Sequence, residues 1–102
     1  MIRSQNQPVS VGETLVEEFM KPLGINQTQL AQAMGIQRRL VNEVCRNRRV
    51  ITADTALMLS RVFGNSAEFW LNLQHDNDLW EALHDPKRRQ RIERAHPMAG
   101  VV

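Results

Sequence analysis

Apolar residues along this chain recur every three to four positions, and no stretch alternates in twos. That period belongs to amphipathic helices, not strands. In GETLVEEFMKPLG, Leu15, Phe19 and Leu23 recur at i, i+4 and i+8, with Val16 and Met20 beside them. Glu13, Glu17 and Glu18 lie near the start, where the helix dipole favours acids. Pro22 removes one backbone donor, so the helix is not expected to stay regular as far as Leu23. Asn26 is the expected N-cap of a second helix over about Gln27 to Met34, with Leu30, Ala31 and Met34 inward and Gly35 ending it. A third runs from about Gln37 to Arg46. Val41 and Val44 face inward, Leu40 or Cys45 partly so, and Asn47 ends it, because Asn tolerates positive φ. Thr52 caps a fourth, ADTALMLSRVFG, expected to bury Ala56, Leu57, Leu59, Ser60 and Phe63 before Gly64. A fifth, starting at Asn65 or Ser66, would turn Phe69, Trp70, Leu73 and Leu83 inward until Asp85–Pro86 breaks the pattern. The expected fold is all-α with five helices and short connections.

The second and third helices, joined by a turn at Gly35–Ile36, have the form of a helix-turn-helix. Ala31 is small enough for the two helices to cross closely. Val41 and Val44 anchor the third helix from behind, leaving Gln37, Arg38, Arg39, Asn42, Glu43 and Arg46 to point outward. Arg pairs with guanine and Gln or Asn with adenine in the major groove, and recognition helices read bases with their N-terminal residues. Gln27 and Thr28, at the start of the preceding helix, are placed for a phosphate. Arg46, Arg48 and Arg49 would meet the flanking backbone.

Charge sharpens this reading. The formal net charge is only +2 over 102 residues. Residues 36–50, however, carry five arginines against Glu43 alone, and residues 84–102 carry Lys87, Arg88, Arg89, Arg91 and Arg94 against Asp85 and Glu93. Between them, residues 51–83 carry Arg61 against Asp54, Glu68, Asp76, Asp78 and Glu81. A basic face beside an acidic one suggests a directed contact with a polyanion. The expected organisation is a flexible N-terminal arm over residues 1–11, a helix-turn-helix domain over 12–83 and a basic tail over 84–102. The tail, KRRQRIERAH and onward, is either a helical extension or without fixed structure.

Little points to catalysis. His75, His84 and His96 are scattered, without the spacing of a helical metal site. The lone Cys45 rules out an internal disulfide and reads as a half-buried small residue. No glycine-rich phosphate loop is present. No cofactor is expected. No apolar run approaches the roughly 20 residues that span a bilayer, and MIRSQNQPVS lacks the apolar core of a signal peptide. The expected location is the cytoplasm, with no membrane partner.

Two long stretches carry a family resemblance. GETLVEEFMKPLGINQTQLAQAMGI and VNEVCRNRRVITADTALMLSRVFGNSAEFWLNLQ resemble antitoxins of the HigA/VapI type, within the Xre-like, lambda-repressor-like helix-turn-helix superfamily. The likeness covers residues 12–79. Arg39, Asn42 and Glu43 fall on the family's R-x-x-N-E positions, and Arg48 and Arg49 on its basic pair. The sequence departs from the family where Asn-Gly often precedes that pair; here Arg46–Asn47 stands in its place. Val50 replaces another frequent glycine. The resemblance implies a homodimer that binds a palindromic operator on double-stranded DNA, represses its own operon and neutralises a toxin of the HigB type, a ribosome-dependent messenger-RNA endonuclease. A regulator without a toxin, or a toxin neutraliser without DNA binding, would use the same fold.

A dimer places two recognition helices about 34–36 Å apart, one turn of DNA. The fifth helix is the expected dimer element, through Trp70, Leu71, Leu73 and Trp80, with Phe69 more readily a core residue. The acidic run of Asp76, Asp78 and Glu81 is a candidate surface for a basic toxin.

Overall fold

The computed structural model describes residues 7–100. Six helices and no strand lie among them. Helix α1 (residues 11–23) begins as Val11–Thr14, passes through a π-helical stretch at Leu15–Met20 and closes as Lys21–Leu23. Then follow α2 (Gln27–Met34), α3 (Arg38–Cys45), α4 (Ala53–Phe63), α5 (Ala67–His84) and α6 (Pro86–Glu93). The sixth helix is one more than the sequence pattern predicts.

The irregularity expected at Pro22 lies one turn earlier than the proline itself. Across the π stretch the Lys21 N–H reaches back to the Val16 carbonyl, five residues away. One residue is thereby added to the turn. Everything beyond it rotates by about 100°, the angle of one helical residue. Leu15 is therefore followed on the buried face by Met20, with Phe19 half-buried beside it. Leu23, expected inward, is 61% exposed instead. Gly24, at φ 65°, ends the helix in the left-handed conformation.

The core gathers Leu15, Leu30, Val41, Leu59 and Trp70, all but sealed from solvent. Trp70 is its largest member and is wholly enclosed. Its ring centroid lies 5.0 Å from that of Phe19, 5.2 Å from Phe69 and 6.1 Å from Phe63. A buried indole N–H needs an acceptor. The Asn65 side-chain oxygen provides it at 3.0 Å. Asn65 thus serves the tryptophan, while Ser66 caps α5 by accepting from the Phe69 N–H. Phe69 sits at the edge of this cluster and is 40% exposed, the reverse of the expected assignment of core and surface between it and Trp70.

Helix α4 is capped as predicted, with Thr52 accepting from the Thr55 N–H and Gly64 left-handed at its end. Its buried stripe is Ala56 and Leu59, with Phe63 half-buried. Leu57 lies one residue round from that stripe and is exposed, not buried as expected. Ser60 is half-buried, its hydroxyl donating to the Leu57 carbonyl.

Two polar residues of α5 tie distant segments to it. Asn77 donates to the Val9 carbonyl at 2.7 Å, so the residues just before α1 lie against α5. Gln74 accepts from the Ile51 N–H at 2.6 Å and donates to the Ile51 carbonyl at 2.9 Å. The arm expected over residues 1–11 is thus fixed in place at Val9 and Ser10, while its first six residues lie outside the described ones. Beyond Asn77, α5 runs on past the core. Asp85 caps α6 by accepting from the Lys87 and Arg88 N–H groups, with Pro86 at its first position. Every residue of α6 is exposed. The radius of gyration is 16.6 Å, against about 13 Å for a compact domain of 100 residues. The far half of α5 and α6 account for the excess.

Candidate nucleic-acid interface

Helix α2 starts with a reciprocal cap. The Asn26 side chain accepts from the Gln29 N–H, and the Gln29 side chain accepts from the Asn26 N–H, both at 2.8 Å. Two of the donors left over at a helix start are thereby satisfied. At its other end Gly35, at φ 74°, and Ile36 both donate to the Ala31 carbonyl, which turns the chain sharply into α3. Ala31 is buried at the crossing and Val41 and Val44 hold α3 from behind, as the sequence predicts. The helix-turn-helix is therefore built as expected.

Its outward face carries the candidate residues. Gln37, Arg38 and Arg39 stand exposed at the N-terminus of α3. Gln37 makes no side-chain cap bond, so its amide is left free to reach outward. Thr28 is exposed on the first turn of α2. Gln27 and Asn42 are half-buried and meet each other: the Asn42 amide donates to the Gln27 side-chain oxygen at 3.1 Å. That bond ties the start of α2 to the middle of α3. Both residues retain further donors or acceptors for a ligand.

Glu43 differs from its neighbours. Expected to point outward, it is half-buried and holds two arginines, Arg49 at 2.7 Å and Arg39 at 3.3 Å. Hydrogen bonding from Arg49 leads the effects that hold its carboxyl below the ordinary value of 4.5. A carboxylate facing a polyanion would repel it. Here the charge is used inside the face, to orient Arg39 and Arg49. Arg38, Arg46 and Arg48 make no ion pair among the described residues. Arg46, Arg48 and Arg49 all lie exposed beyond α3. The basic face thus has three unpaired arginines and two steered ones.

The sequence reading overlooked Gln74, Asn77 and Ser10, which fix the segments around this face. A signal was present. Gln74 and Asn77 lie four and seven residues after Trp70, on the inward stripe of α5, where a polar side chain implies an internal hydrogen bond.

The expected dimer residues separate. Trp70 is enclosed by its own chain and has no surface to offer a partner; this corrects the expectation, and the cause is its place at the centre of the aromatic cluster. Leu71 and Leu73 are half-buried against the core. Trp80 is half-buried and stacked on His84, ring centroids 3.9 Å apart. Exposed apolar surface lies further along, at Leu79, Leu83 and Ile92. Cys45 is half-buried, its Sγ 3.7 Å from the Met20 sulfur, and burial pushes its thiol up from the ordinary value. Among the described residues no cluster of His, Cys, Asp and Glu could hold a metal ion, and no helix is long and apolar enough to cross a membrane.

This architecture has close counterparts. A helix-turn-helix family model matches residues 16–70. Antitoxin HigA-1 of Vibrio cholerae serotype O1 is 47% identical over 81 residues, covering 79% of this chain and 76% of that protein. A structure of the Pseudomonas aeruginosa antitoxin HigA with the higBA promoter superposes with a TM-score of 0.80 at 34% identity, covering 91% of this chain and 99% of that one. A structure of antitoxin GraA in complex with its operator gives a TM-score of 0.83 at 34% identity, covering 98% and 100%. The likeness runs through α2, the turn and α3, where the basic face lies, and the chain belongs to the HigA/VapI-type antitoxins of the Xre-like, lambda-repressor-like helix-turn-helix superfamily.

Proposed function

We propose that this protein is a dimeric autorepressor that binds a palindromic operator beside its own gene and neutralises a HigB-type toxin in the cytoplasm. The observation that carries the DNA-binding part is the N-terminus of α3. There Gln37 and Arg38 stand exposed without internal partners, above a helix anchored by Val41 and Val44. Such residues can reach base edges in a major groove, while Arg46, Arg48, Arg49 and Thr28 meet phosphates. Glu43 steers two of the arginines, and with five arginines against this one carboxylate the face remains net positive.

The dimer reading rests on the exposed apolar residues of α5 and α6. Leu79 is 64% and Leu83 is 53% exposed. Burying them against a second copy removes apolar surface from water and spaces two recognition helices for one turn of DNA. The toxin reading rests on charge. Asp76, Asp78 and Glu81 are exposed on α5 and suit a basic partner. Co-purification with the product of the adjacent gene tests it. Its absence favours a regulator without a toxin.

The DNA-binding role is tested by fluorescence anisotropy on DNA from upstream of the gene, at several salt concentrations. Arg38→Ala/Arg39→Ala is expected to weaken operator binding by about 10- to 100-fold, since one good base contact supplies about 1–3 kcal/mol of discrimination. Binding to unrelated DNA should change far less. Equal, weak binding of both proteins to any DNA would sink this reading.

A further inference from the structure

Residues 46–50, which follow the recognition helix, are all exposed and border an open groove of about 430 Å³ against α5. Little packing holds them, yet they carry three of the arginines offered to DNA. Hydrogen bonds hold it instead: the Arg48 N–H and the Arg49 Nε both reach back to Glu43, and each end of the segment is tied to another helix. At the far end Gln74 grips both backbone groups of Ile51. At the near end stands Asn47, the one non-glycine residue at positive φ (56°) among the described residues.

Asn47 does more than turn the chain. Its Oδ1 accepts from the Gly12 N–H at 2.9 Å, and its Nδ2 donates to the Ser10 Oγ at 2.9 Å. Ser10 is itself the N-cap of α1. Gly12 approaches so closely that a Cβ there would overlap the Cys45 carbonyl oxygen and fall 2.7 Å from that of Val44. The N-terminus of α1 thus abuts the carbonyl end of α3, an arrangement the two helix dipoles favour. Asn47 closes that joint with its side chain. A glycine would make the turn at lower strain and could form neither bond.

We propose that Asn47 is a positioning residue for DNA binding: its side-chain bridge from the end of α3 to Ser10 and Gly12 fixes where Arg46, Arg48 and Arg49 meet the phosphates. The proposal rests on the DNA-binding reading above. A segment held in advance loses less conformational freedom when it binds. Without the bridge, the near end of the segment is free to shift against α1, held only by its bonds to α3, so its arginines are less well placed for the phosphates and affinity falls accordingly.

Asn47→Gly tests this directly, because it removes the bridge and keeps the turn. The variant is expected to fold, with easier backbone geometry offsetting the lost bonds. Operator affinity should drop about tenfold, the cost of ordering about one further residue on binding. The slope of log affinity against log salt should shrink by about one phosphate contact. Wild-type affinity and slope in this variant overturn the proposal, whatever its thermal midpoint does. Hydrogen exchange at the Gly12 amide of the wild-type protein gives a second reading. If the joint strengthens DNA binding, linkage requires that operator DNA strengthen the joint. Operator should therefore slow that exchange several-fold, and an unchanged rate overturns the proposal even where the variant fails to fold. Failure of the wild-type protein to bind operator removes the DNA-binding reading, and this proposal with it. Wild-type binding matched by Asn47→Gly removes the proposal alone.

Discussion

The two halves of α5 obey the same local rules and meet different fates. Its first turns place Trp70 in an aromatic cage, with Leu71 and Leu73 against the core. Its last turns carry Leu79 and Leu83 into solvent, and α6 continues from them with no buried residue. Both halves are helical, capped and rich in leucine. The difference is what lies across from them. The first half faces α1 and α4; beyond Asn77, which still reaches the Val9 carbonyl, the second half has only the open groove beside residues 46–50 on one side and the short basic helix that it leads into. A helix is stabilised in a protein mainly by the face it buries. The body of the molecule therefore holds itself together, and the projecting end has apolar residues left for a partner.

The largest effect that would break this contrast is expected at Trp70. Trp70→Ala should destabilise the protein by about 3–5 kcal/mol, the range for emptying an aromatic site in a core. Denaturant unfolding measures it, and a loss under 1 kcal/mol would mean that the cage is not the centre of stability. The projecting end should behave in the opposite way. Leu79→Asp/Leu83→Asp is expected to turn the proposed dimer into a monomer in sedimentation analysis, where the wild type sediments as the dimer. Its unfolding free energy per chain, extrapolated to the monomer, should change by roughly 0.5 kcal/mol or less, as for surface sites. A variant that remains dimeric would place the dimer contact elsewhere.

The smallest effect concerns the surface of the body. Glu43→Gln releases Arg39 and Arg49. Because its folded-state value lies below 4.5, Glu43 contributes stability above that value, and the contribution is lost as pH falls through the folded-state value. The thermal midpoint of Glu43→Gln should lie slightly below that of the wild type at neutral pH and converge with it well below pH 4.5. A gap that persists in acid would show that Glu43 acts through packing and not through charge. Solvent exposure keeps the effect small.

Most of this architecture is written in local patterns. Asn26, Thr52 and Ser66 announce helix starts, because a side-chain oxygen one residue before a helix satisfies its free N–H groups. Gly35 and Gly64 announce helix ends, because the left-handed conformation costs glycine little. The charge of residues 36–50 marked the basic face in the same local way. What escaped the pattern were facts set by neighbours distant in sequence. Leu57 and Leu23 look like core residues from their spacing alone. Trp70 reads as an interface residue because tryptophan favours interfaces, and only the rings of Phe19 and Phe63 around it decide otherwise.

The sequence by itself determined the all-α class, the caps at Asn26, Thr52 and Ser66, the helix-turn-helix and the arginines that edge it. These depend on interactions within a few residues, whose geometry the helix imposes. The tertiary structure alone decided that Glu43 steers arginines, that a π turn rotates Leu23 outward, and that Asn47 locks two helix ends together. Each depends on where a second segment lies in space. A backbone dihedral can be foreseen from the preferences of one residue, whereas a hydrogen bond between residues 12 and 47 exists only once the fold has brought their atoms to 2.9 Å.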